Sequence, residues 1–85
     1  MNFSSGSALI KTFDIETRGS AFISIMPNGH TNGEAYIIYF NDKNTLTKAN
    51  KILGTTTSLT FNIDSGVLTI TSSVKYTQGF IIFND

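Results

Sequence analysis

The feature that most constrains this chain is a pair of alternating runs, residues 59–63 and 67–71, joined across Asp64-Ser65-Gly66. Leu59, Phe61 and Ile63 share one face of the first run, and Thr60 and Asn62 take the other. In the second run Leu68 and Ile70 oppose Val67, Thr69 and Thr71. Apolar residues at a period of two, bounded by a Ser-Gly turn, predict an antiparallel hairpin. Phe61 and Ile70 are the side chains expected inside.

The same theme recurs along the chain. Residues 8–18 read as a strand, with Leu9, Phe13 and Ile15 on one side, interrupted by Lys11, and Thr12, Asp14, Glu16 and Arg18 on a solvated side. Gly19-Ser20 reads as a turn. Residues 21–26 place Ala21, Ile23 and Ile25 opposite Phe22, Ser24 and Met26. Residues 34–40 are apolar on both faces, Ala35, Ile37 and Tyr39 against Tyr36, Ile38 and Phe40, and residues 80–83 repeat that property. Residues 45–53 are ambiguous. Leu46, Ala49, Ile52 and Leu53 lie near helical spacing, whereas Thr45, Thr47, Asn50 and the β surroundings favour a short strand or an irregular crossing. About six or seven short strands with regularly spaced turns predict an all-β fold, a small antiparallel β-sandwich or jelly-roll-like domain. Residues 8–85 form that single domain, and residues 1–7, rich in Ser and Gly, read as a flexible leading or linker segment.

A chain of 85 residues makes one domain. At this size about 60–65% of the unfolded surface is buried, which leaves a marginal core. There are no cysteines to staple it or to bind a metal through thiolates. Low charge, a small core and no staple together favour stabilisation by oligomerisation. The six basic and six acidic residues cancel, and phosphate neutralisation needs clustered Lys and Arg, so no nucleic-acid partner is expected. Apolar stretches such as residues 35–40 are too short to cross a bilayer, so no membrane insertion is expected. Residues 1–7 lack the basic start and apolar run of a secretory signal. With 14% of residues charged and Thr, Ser and Asn abundant, the composition fits stiff extracellular or virion β-structure.

Candidate chemistry is sparse. Residues 27–33 form the prominent loop and hold the single proline and the single histidine. Pro has no ladder donor, and Asn and Gly accept positive φ, so regular structure stops there. His30 has no second His and no Cys to complete a metal set, and no nucleophile elbow is visible. No catalytic residue, metal or cofactor is therefore expected. Exposed loops on a rigid scaffold carry recognition, which makes Asn28, His30 and Asn32 the candidate ligand-binding residues. The turn at residues 41–44 lacks the layout of a calcium loop. Lys43, Lys48 and Lys51 read as a solvated basic face. Asn2-Phe3-Ser4 matches a glycosylation acceptor without a signal peptide to support it. Tyr and Asn suit sugar recognition, by ring stacking and amide hydrogen bonds, although core and interface packing is the favoured reading for any single Tyr. Strands apolar on both faces have no wet side. Either loops of the same chain cover them as central strands, or one face meets another subunit. In so small a chain the second is favoured, a homo-oligomer interface of Tyr36, Ile38, Phe40, Phe80 and Ile82.

The order of these segments resembles the C-terminal head domains of bacteriophage tail fibres and receptor-binding proteins. The likeness runs through Gly19-Ser20-Ala21-Phe22-Ile23-Ser24-Ile25, Asn32-Gly33-Glu34-Ala35-Tyr36-Ile37-Ile38-Tyr39, the hairpin with Gly66-Val67-Leu68-Thr69-Ile70-Thr71, and Gly79-Phe80-Ile81-Ile82-Phe83. It implies a trimeric, non-enzymatic β-sandwich tip on the virion or extracellular surface that attaches to a host glycan or protein. The alternative is a structural virion component, a decoration or trimerisation domain without a ligand of its own. The likeness carries no binding residue over to this chain, because such heads vary most in their loops.

Overall fold

The computed structural model of the chain describes residues 2–4, 10–15, 19–26, 33–40 and 46–84, and every regular element among them is a strand. These are β1 (Asn2–Ser4), β2 (Ile10–Asp14), β3 (Ser20–Met26), β4 (Glu34–Phe40), β5 (Leu46–Leu53), β6 (Leu59–Asp64), β7 (Val67–Ser72) and β8 (Gln78–Asn84). They form two antiparallel sheets, a five-stranded one in the order β1-β8-β3-β4-β5 and a three-stranded one in the order β2-β7-β6. β3, β4 and β5 run as a meander. The chain then crosses to the second sheet for the β6–β7 hairpin and returns to lay β8 beside β3, a Greek-key path.

The hairpin forms where the alternation places it. Asp64 pairs with Val67, and Ser65 and Gly66 turn the chain with φ of 52° and 79°. A two-residue loop with positive φ at both positions matches the right-handed twist of the flanking strands. Phe61 faces Ile70 and Ile63 faces Leu68 across the ladder, all on the inner side. Ile70 is buried and Phe61 is half-buried, edge-on to Tyr36. Truncating Phe61 to Ala is accordingly expected to cost about 1.5–3 kcal/mol in urea unfolding, below the roughly 3–5 of a fully enclosed Phe. A loss as large as that of Ile70→Ala would show that the Phe61 ring is fully enclosed.

The core lies between the sheets. Ile15, Ala21, Ile23 and Ile25 meet Ile38, Phe40, Leu68 and Ile81, each at most 5% exposed. Ring contacts give the alignment of the two layers. Phe13 of β2 packs edge-on to Phe83 of β8 at 6.0 Å, and Phe61 of β6 packs edge-on to Tyr36 of β4 at 5.3 Å. The three-stranded sheet thus covers β8, β3 and β4 and leaves the inner side of β5 overhanging.

One open reading resolves and two expectations change. Residues 46–53 are an edge strand: Ala49 and Lys51 pair with Ile38 and Tyr36 of β4, and the ladder decides what local spacing left open. Residues 2–4, expected in a leading segment, extend the first sheet through Asn2↔Phe80 and Ser4↔Gln78. The third concerns β4. Tyr36, Ile38 and Phe40, expected at a subunit interface, are 2%, 0% and 5% exposed inside the chain's own core. The second sheet already covers that face.

Candidate functional site

The alternation of β4 puts Glu34 in phase with Tyr36, Ile38 and Phe40, so its carboxylate enters the inner side of the sandwich and is 1% exposed. A buried carboxylate is tolerated only when its oxygens are filled by donors. Here the run of hydroxyl residues after β5 supplies them. Oε1 accepts the Tyr36 hydroxyl and the Ser58 backbone N–H at 2.8 Å. Oε2 accepts Thr56 Oγ1 at 2.9 Å and the Ser58 hydroxyl. The Tyr36 oxygen in turn accepts the Leu59 N–H at 3.4 Å. No buried side-chain N or O among the described residues lacks a partner.

This network ties the first turn of chain after β5 to the inner face of β4. Gly54 makes the approach possible, with φ of 114° and an added Cβ falling 2.8 Å from the Gly33 carbonyl oxygen and 3.0 Å from Glu34 Cγ. Lys51 secures the same segment from outside by donating from Nζ to the Thr56 carbonyl at 3.0 Å. Burial alone would raise the Glu34 pKa. The hydrogen bonds from the Ser58 hydroxyl, Tyr36, the Ser58 N–H and Thr56 outweigh it and hold the carboxyl below its ordinary value of 4.5. Tyr36 is pushed up to about 12 by burial, and then by its hydrogen bond to Glu34 and by that charge. At neutral pH the pair is therefore one carboxylate and one phenol.

Beside the network lies a cleft of about 420 Å³ between two edge strands, β5 of one sheet and β6 of the other. Its floor is Tyr36, Phe61 and Leu59, with Ala49 on the overhanging inner side of β5. Thr57, Thr60 and Lys51 complete its lining. One of the three Nζ protons goes to Thr56. The volume lies in the range of small-molecule sites.

The sequence-predicted residues fall in three places. Asn28, His30 and Asn32, the expected ligand loop, lie outside the described residues. Tyr36 sits under the cleft, while Ile38 and Phe40 serve the core alone. Phe80 and Ile82 lie on the opposite, outer side of the five-stranded sheet, half-buried and 56% exposed. There Ile82, Phe22 and Ile37 form one cross-strand row, and Phe80 packs against Phe22 at 6.0 Å. Tyr39 extends the patch at 48% exposure. Among the described residues no group of three or more His, Cys, Asp or Glu side chains converges as a metal site would require.

Glu34 was missed in the sequence, yet a signal existed. It is an acid in phase with three inward apolar residues, followed later by the Thr/Ser run at residues 55–58 that can satisfy it. Comparison with protein-family models, curated proteins and solved structures yields no match for this chain.

Proposed function

We propose that this domain is a non-enzymatic attachment module that self-associates, as a trimer by its likeness to phage receptor-binding tips, and recognises a cell-surface glycan or protein. The observation that carries this reading is the outer side of the five-stranded sheet. Phe22, Ile37, Tyr39, Phe80 and Ile82 form one apolar surface there, with Ile82 and Tyr39 about half exposed at 56% and 48%. Monomeric proteins avoid contiguous apolar patches of this kind, and a second copy would remove it from water. A structural virion component without its own ligand would use the same face. The cleft on the other side favours the attachment role.

Light scattering tests the reading. Wild type is expected to assemble at micromolar concentration, and Ile82→Glu is expected to dissociate into folded monomers, because a charge buried at an interface is strongly unfavourable. A wild type that is already monomeric at high micromolar concentration would overturn the self-association.

A further inference from the structure

We propose that the cleft between β5 and β6 is a binding site for an acidic sugar, with Lys51 receiving the carboxylate of the ligand and Phe61 receiving an apolar face of its ring. The assignment rests on the attachment role proposed above and names the ligand class and the place of binding.

The fold itself opens the site. A five-stranded sheet packed on a three-stranded one leaves the inner side of β5 uncovered, so Ala49 and Lys51, though inward in register, face the cleft instead of a core. The chemistry of the lining is mixed in the way a sugar requires. The half-buried Phe61 ring offers apolar surface, and Thr57, exposed on the lining, carries a hydroxyl that can both donate and accept. The ammonium is held in place by Thr56 and keeps donors for an anion. Thr56 is in turn fixed by Glu34, whose own charge is enclosed by four donors. The Tyr36 ring under the cleft is fixed by the same carboxylate, so both floor and wall are ordered before any ligand arrives. Preorganisation of this kind removes part of the ordering cost of binding.

An extended peptide adding to the β5 edge is the competing occupant. The edge opposes it. The β4–β5 ladder breaks register at both ends, between Ala35 and Tyr36 and between Tyr39 and Phe40, and Lys48 and Lys51 both lie along the strand. Bulges and lysines are the devices that blunt an edge against strand addition.

The test titrates the whole 15N-labelled chain with cellobiouronic acid, with cellobiose as the neutral counterpart. The expected result is saturable shifts of the Ala49, Lys51, Thr57 and Thr60 amides, about tenfold tighter for the acid than for the neutral sugar. Lys51→Gln is expected to bring the acid down to the affinity of cellobiose, and Lys48→Gln, on the outer side of the same strand, to leave it unchanged. Equal affinity for the two sugars, an unchanged affinity in Lys51→Gln, or no saturable shift of these amides by either sugar would overturn the site. An acidic peptide that shifts the β5 amides more tightly than the acid would overturn it as well. A glycan array separates this from the wider reading. Array binding that Lys51→Gln does not alter leaves glycan attachment standing and removes the cleft from it. No array binding by wild type together with no cleft shifts removes both the cleft site and glycan attachment, and leaves only a protein receptor for the wider reading.

Discussion

Replacing Glu34 with Ala is expected to remove about 3–5 kcal/mol of stability at neutral pH, because one partner of a buried, charged hydrogen-bond network is deleted. The Ser58 N–H, the Ser58 and Thr56 hydroxyls and the Tyr36 phenol all lose their acceptor at once. A chain of this size has only about 4–13 kcal/mol in total, so the variant is expected to be partly unfolded at 37 °C. Glu34→Gln keeps the shape, but its amide has one acceptor oxygen for four donors, and an intermediate loss is expected. The pH dependence follows in sign. The folded carboxyl titrates below its ordinary 4.5, so its contribution is fully present above that value and is lost as pH falls through the folded pKa. For Tyr36, raised from 10.0 to about 12, the contribution is full below 10 and is lost as pH rises toward 12. Urea midpoints of wild type and Glu34→Gln across pH 2–7 check this, since the two curves should converge at the acid end. Parallel curves would mean that Glu34 is not the acid-sensitive group.

The second large effect separates the two faces of β4 and its neighbours. Ile38→Glu is expected to abolish folding, since Ile38 is 0% exposed at the centre of the core and a buried carboxylate there has no partner. Ile82→Glu, on the outer side of the same sheet, is expected to retain the wild-type circular dichroism and to change only the assembly. The contrast is direct, because both substitutions place the same charge in the same sheet. A folded Ile38→Glu, or an unfolded Ile82→Glu, would invert the assignment of inner and outer faces.

The expectation of an interface made by Tyr36, Ile38 and Phe40 failed for a reason that local pattern cannot reach. A strand apolar on both faces announces that both are covered, not which cover belongs to the same chain. Packing of β6 and β7 over β3 and β4 took one face, and only the other, with Phe80 and Ile82, remained for a partner.

Ambiguity over residues 45–53 has a similar origin. Helical and strand spacings overlap in a segment with Leu46, Ala49, Ile52 and Leu53, and pairing with β4 selected the strand. The sequence by itself determined the all-β class, the Ser65-Gly66 turn, and which residues share a face in β3, β6 and β7. Those follow from a period of two and from a turn that needs positive φ, both properties of a few neighbouring residues. The tertiary structure alone decided the strand order, the burial of Glu34 and the cleft at Lys51. Each depends on residues more than a dozen positions apart meeting across sheets of unequal width, and that meeting is set by how the layers pack rather than by any local pattern.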